Sequence, residues 1–236
     1  MVEITSPDQQ IQHIQSKGYW QVRLMPTQPL AEALTIETCR GTIEKTRVQL
    51  RGWDFPHINQ KDGFLISYQD FIESFVSFRA LNEYWRFYRD GQFIHFFGIE
   101  SDWYEQTEVL SRLSDGNVKG FEAIAGLYRF TEIFEFASRL AHKSIYPAGL
   151  DIEIKLFGTQ NRQLYFWDIG RNFHYGHVCR QEPLVVTKRV SSSDLITKSA
   201  ESALDAYLEI LPAFQWTPSR EILAEDQKKF LERRIS

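Results

Sequence analysis

Cysteine is scarce in this chain. Two stand in 236 residues, Cys39 and Cys179, with no Cys-x-x-Cys pair. That excludes a disulfide framework and a four-cysteine zinc site, and a reducing compartment is the simple expectation. Long apolar runs are missing as well. No stretch approaches eighteen apolar residues, so no membrane-spanning helix is expected. The opening MVEITSPDQQIQHIQ has no basic segment followed by an apolar one, so no secretory signal is read there and a cytoplasmic protein is expected. Basic charge is not in excess either. The formal net charge is -4, which argues against a general nucleic-acid binder, whose affinity comes from neutralising phosphates. There is no phosphate-cradling glycine loop, no Gly-x-Gly-x-x-Gly after a strand and no Gly-x-Ser-x-Gly. No cofactor is expected from these patterns.

What the chain does have is aromatic side chains: eighteen Phe, ten Tyr and six Trp. Each buries much area, so a well-packed core is expected. Ser6, Pro7 and Gly18 bracket a short helix. YWQVRLMP (19–26) alternates as a strand. A helix is expected from Pro29, ending near Gly41 or running on weakly past it, and a strand over TRVQLRGW (46–53). KDG (61–63) reads as a turn, followed by three antiparallel strands between Phe64 and Ile99. SDGNVKG (114–120) is a loop and a candidate boundary within a single domain. The 121–143 segment predicts a helix that is apolar over most of its circumference, with Arg129, Glu132, Glu135 and Arg139 in one ion-pairing stripe. Strands at 150–158 and 162–168, joined by TQN, and at 182–190 follow. Helices are expected over 191–211 and after Thr217-Pro218. The fold class is α+β, a mainly antiparallel sheet packed with several helices.

Three places carry candidate chemistry. If Asp90-Gly91 forms a two-residue hairpin turn, Arg86 faces His95, framed by Tyr84, Tyr88, Phe93 and Phe97. Arginines and rings on one face suit a small anionic, nucleotide-like ligand, although such an arginine more often simply pairs with a carboxylate. The second place is RGWDFPH (51–57). Arg51 continues a polar strand face, Gly52 is a candidate bulge that turns Trp53 inward, and Asp54 and His57 form a candidate pair. An Asp-His pair can act as a base, but no nucleophile stands beside it, and a structural corner is the commoner meaning of such a stretch. The third is DIEIK (151–155), where Asp151, Glu153 and Lys155 share a strand face in the manner of a metal-dependent nuclease. The further acidic residue on a preceding strand is missing from that pattern, and plain alternation also explains it. His174, His177 and Cys179 include zinc-ligand types, yet no partner pair is spaced to complete a site, and no metal is expected.

RGWDFPH, EYWRFYRDGQFIHFF and RFTEIFEFASRLA together resemble an uncharacterised bacterial protein family. The resemblance covers roughly residues 18–235. It implies a bacterial cytoplasmic protein, in a class often found near defence systems or mobile elements, and it transfers no catalytic residue. The expectation is therefore a non-catalytic module that binds a protein partner or a small anionic ligand. The rival is a metal-dependent nuclease or hydrolase using the Asp-x-Glu-x-Lys strand.

Overall fold

A computed structural model describes residues 6–58, 65–104, 113, 119–168 and 170–233. Helix α1 (Pro7–Gln15) is capped by the Ser6 hydroxyl, which accepts from the Gln9 amide. It leads into β1 (Tyr19–Pro26), where Trp20, Val22 and Leu24 are buried on one face. Helix α2 (Ile36–Thr46) starts later than the sequence predicts and takes the longer of the two expected ends, past Gly41. The reason is Thr35, whose hydroxyl caps the Thr38 amide at 3.1 Å, while the Leu34 amide is tied to the Arg89 carbonyl.

The strand expected over 46–53 does not form. Val48 and Phe55 exchange two backbone hydrogen bonds at 2.8 and 2.9 Å, so the chain reverses on itself between them. The KDG turn lies outside the described residues. Four strands rather than three follow: β2 (Ile66–Ser67), β3 (Phe71–Phe78), β4 (Leu81–Tyr88) and β5 (Phe93–Gly98). A one-turn 3-10 helix, Glu100–Asp102, ends this half.

The β4–β5 hairpin is where register decides most. The Tyr88 amide donates to the Gln92 carbonyl at 2.8 Å and the Gly91 amide to the Tyr88 carbonyl at 3.0 Å. The loop is therefore Arg89-Asp90-Gly91, one residue longer than expected, and Gly91 sits at φ +85°. A turn followed by a left-handed glycine is the usual three-residue hairpin. The extra residue slips the register by one: Trp85 pairs with His95, Arg86 with Ile94 and Tyr84 with Phe96. Since side chains alternate, a one-residue slip exchanges faces for one strand against the other.

Strand β6 (Gly120–Glu122) runs into α3 (Ala123–His142), and β7 (Leu150–Phe157) returns beside β1. Residues 114–118 of the candidate boundary lie outside the described residues. Strands from both sides of it nonetheless share one antiparallel sheet, in the order β2-β3-β4-β5-β1-β7-β9, where β9 is Leu184–Val190. Strand β8 (Gln163–Tyr165) is the other departure. It does not form a hairpin with β7 but pairs in parallel with β6 in a separate two-stranded sheet. Buried Arg162 holds it there, donating to the Gly120 carbonyl at 2.7 Å and gripping Asp102 with two bonds. β9 (Leu184–Val190), α4 (Ser192–Leu208) and α5 (Arg220–Leu231) complete the α+β fold.

The core lies between one sheet face and α3. Trp20 meets Phe130 edge-on with centroids 5.7 Å apart, and Phe93 meets Phe136 at 4.9 Å. Helices α2, α4 and α5 pack around α3, which is why α3 carries so few polar residues. The opposite sheet face is covered in part by α1, through Ile14, Phe75 and Tyr84. No helix among the described residues is long and apolar enough to cross a membrane.

Candidate functional site

Strand parity separates Arg86 from His95 and dissolves the expected pair. Arg86 lies on the α1 side, where its Nε and Nη2 donate to Glu73 at 3.1 and 2.8 Å. Its Nη1 reaches the Tyr88 hydroxyl at 3.2 Å, and its guanidinium sits 3.9 Å from the centre of the Phe71 ring. Tyr84 donates to the same Glu73 carboxylate at 2.8 Å. These are the bonds of a closed structural cluster, and they commit Arg86 to a carboxylate in place of a ligand.

His95 faces the core, fully buried against Phe55, Phe93 and Phe97. Its Nε2 lies 3.1 Å from the Glu83 carboxylate. Burial pushes the imidazole below its ordinary range, against the pull of Glu83. We therefore read a neutral ring that donates from Nε2, which leaves Nδ1 as the acceptor. Burial alone would raise the Glu83 carboxyl. The hydrogen bond from His95, with Arg129 and Trp53 nearby, outweighs it and keeps Glu83 ionised. Trp53 supplies a second donor through Nε1 at 2.5 Å.

RGWDFPH is thus a corner clamped onto the sheet. Trp53 stacks on His57 with centroids 3.7 Å apart, the His57 carbonyl accepts from Trp85 at 2.6 Å, and Phe55 is fully buried. Trp53 does turn toward the body of the protein, but at a chain reversal rather than at a strand bulge. The Asp54–His57 pair does not form: Asp54 is held by Arg47 at 2.5 Å and Gln49 at 3.2 Å. Arg51 reaches 81 residues along the chain to Glu132 of α3, donating at 2.8 and 2.9 Å.

That contact opens a ladder of charge. Arg129 donates to Glu132 at 3.1 Å and also to Glu100, while Arg51 lies 3.8 Å from Glu100. Burial raises the Glu100 carboxyl, but Arg129 and Arg51 outweigh it, and Glu100 remains ionised. The Arg162–Asp102 pair fixes the turn that carries Glu100, and Asp102 also accepts from the Gly18 amide at 2.8 Å.

The ladder ends at a cavity of about 220 Å³ at the start of α3. Trp20, Phe121 and Tyr165 contribute apolar wall; Glu100, Glu122 and Arg129 contribute polar groups. Tyr104 and Trp167 also line it, 41% and 47% exposed, with ring centroids 6.2 Å apart. Glu122 caps α3 by accepting from the Ala125 amide, and it accepts from the Trp167 amide at 3.0 Å. Its carboxyl is pushed up, first by burial and further by Glu100, against those backbone amides.

The remaining candidates are dispersed. Asp151, Glu153 and Lys155 do share a face of β7, but Asp151 is gripped by Arg189 and Glu153 lies 3.0 Å from Lys155. His177 faces the carbonyls of Phe214 and Gln215, His174 is exposed, and buried Cys179 bonds the Gln181 carbonyl. Among the described residues no group of three His, Cys, Asp or Glu side chains is placed to hold a metal. Comparisons with protein-family models, curated proteins and solved structures find no match to this chain.

Sequence reasoning missed Glu83, Glu100 and Glu122. A signal existed for Glu83. It alternates in step with Trp85 and Phe87, so it had to point into the core, and a buried carboxylate demands a donor. Nothing local marks Glu100 or Glu122, because their neighbours come from β1, α3 and the 165–167 segment.

Proposed function

We propose that this protein is a binding module that holds a small organic ligand in the cavity at the start of α3. The observation that carries this reading is the cavity itself: aromatic walls, a few converging polar groups, and two half-exposed aromatic rings, Tyr104 and Trp167, lining it. Binding sites have this composition. At about 220 Å³ it is smaller than the ~300–1,000 Å³ usual for drug-sized ligands, which points to a small molecule. The Arg/aromatic sheet face has less in its favour, since Arg86 and Arg51 are both spent on buried carboxylates. The nuclease reading likewise has nothing specific behind it, because cations occupy Asp151 and Glu153.

The test is a fragment library screened by thermal shift on the wild-type protein and on Ala125→Leu, which fills the cavity from α3. Hits should raise the melting temperature of the wild type and lose that effect in the variant, because only binding to the folded state stabilises it. Hits that act equally on both proteins would place binding elsewhere. Trp167→Ala, at a half-exposed position, provides a second variant that does not depend on repacking.

A further inference from the structure

We propose that the group this cavity recognises is a cation, a protonated amine carried on a small apolar or aromatic body, seated by Glu122 and Glu100 against the cavity's aromatic walls. This rests on the cavity being the ligand site.

The charge inventory is the first argument. Arg51 and Arg129 pair with Glu100 and Glu132, Arg129 also acts on nearby Glu83, and Glu122 is coupled to this set through Glu100. Among the described residues, two guanidiniums stand in this set against four carboxylates, and burial lowers the His95 imidazole beside Glu83. A partly buried array short of positive charge is costly, because charges removed from water need opposite charges close by. Glu122 is a member of the set that neither guanidinium bonds. Its oxygens accept from the Ala125 and Trp167 backbone amides, and no cation among the described residues forms an ion pair with it. With the Ile124 amide as a third donor, the carboxylate keeps about one of its roughly four lone-pair sites for another donor.

The walls are the second argument. Trp20, Tyr104, Phe121, Tyr165 and Trp167 bring π systems to the cavity. The faces of such rings attract cations, Trp most of all, and aromatic cages hold alkylammonium groups in this way. An anion would meet the same rings and two carboxylates, and the one guanidinium among the described lining residues, that of Arg129, is already bonded to Glu100 and Glu132. The lining therefore selects by charge sign as well as by size.

Three probes of nearly equal shape separate the cases: 2-phenylethylamine, 2-phenylethanol and phenylacetate, titrated by calorimetry at neutral pH. The amine should bind most tightly and phenylacetate least. In Glu122→Gln the amine should weaken about tenfold to a hundredfold, the loss expected for one charge-assisted hydrogen bond, while the alcohol is unaffected. Should Glu122→Gln not fold, Trp167→Leu keeps an apolar wall but removes a ring face, and the amine's advantage over the alcohol should shrink several-fold. If the alcohol matches the amine in the wild type, or the amine's advantage survives both variants, the cation assignment falls while the cavity remains a binding site. If none of the three binds in a way that Ala125→Leu abolishes, and the fragment screen is also empty, the binding reading itself falls.

Discussion

Arg51 and Glu132 are joined by two parallel N–H···O bonds, Nε to Oε1 at 2.8 Å and Nη2 to Oε2 at 2.9 Å, across 81 residues of sequence. The Glu132 side chain is fully buried. This pair connects the RGWDFPH corner to the central helix, and through Arg129 to the Glu100 turn beside the cavity. It makes the motif a structural clamp with one end near the proposed site.

Breaking that pair from one side should be expensive. Arg51→Met leaves a buried carboxylate with, among the described residues, only Arg129 to serve it, and a loss of about 3–5 kcal/mol is expected from removing one partner of a buried ion pair. The double variant Arg51→Met/Glu132→Leu should recover most of that loss, since the stranded charge is gone. Urea denaturation midpoints measure both. Strictly additive destabilisation in the double variant would show that the two residues are not coupled.

His95 should make stability depend on pH. Its folded-state pKa is lowered from 6.5, chiefly by burial, so the unfolded chain binds the proton more readily than the folded one. The stability this provides is complete above pH ~6.5 and is lost as pH falls from there toward the depressed folded value, by up to ~1.4 kcal/mol per pH unit. His95→Gln keeps a donor for Glu83 and removes the titration. Its stability curve should be flatter than the wild type's between about pH 6.5 and 5. Because His57 and His13 also have lowered values, the difference between the two curves is the quantity to compare. Parallel curves would mean that folding does not lower the His95 pKa.

Gly91 should resist replacement. At φ +85° a Cβ is strained, and it would also come within 3.2 Å of the Pro26 side chain. Gly91→Ala is expected to cost about 1–2 kcal/mol, and Gly91→Asn less, since asparagine tolerates the left-handed region better. Equal stability of wild type and Gly91→Ala in thermal unfolding would mean that the hairpin closes through a different turn.

Elements whose signal is local are legible in the amino-acid sequence. Alternation in YWQVRLMP and LDIEIKLF places β1 and β7, and the Arg129, Glu132, Glu135, Arg139 stripe of α3 does carry its ion pairs, at 3.1 and 3.0 Å. Sequence and structure part where a distant partner decides. The 46–53 segment has the pattern of a strand but folds back through Val48 and Phe55, because Arg51 and Trp53 are claimed by Glu132 and Glu83. The 162–168 segment leaves β7 because Arg162 is bound to Asp102, 60 residues earlier.

The candidate site shows the same division. Arg51 stands out in the sequence as a contact residue, and it is one, but its partner is a carboxylate of this chain. Arg86 and His95 face each other only if the turn between their strands has two residues. The third residue of the actual turn moves Arg86 to the α1 side and His95 into the core.

The sequence by itself determined an α+β chain with a large aromatic core and no segment fit to span a membrane as a helix, because composition and periodicity are local properties that burial acts on directly. Only the tertiary structure decided the hairpin register, the pairing of Arg51 with Glu132, and the meeting of Glu100, Glu122 and five aromatic rings around one cavity. Those depend on which charges find each other once water is removed, and the partners stand tens of residues apart.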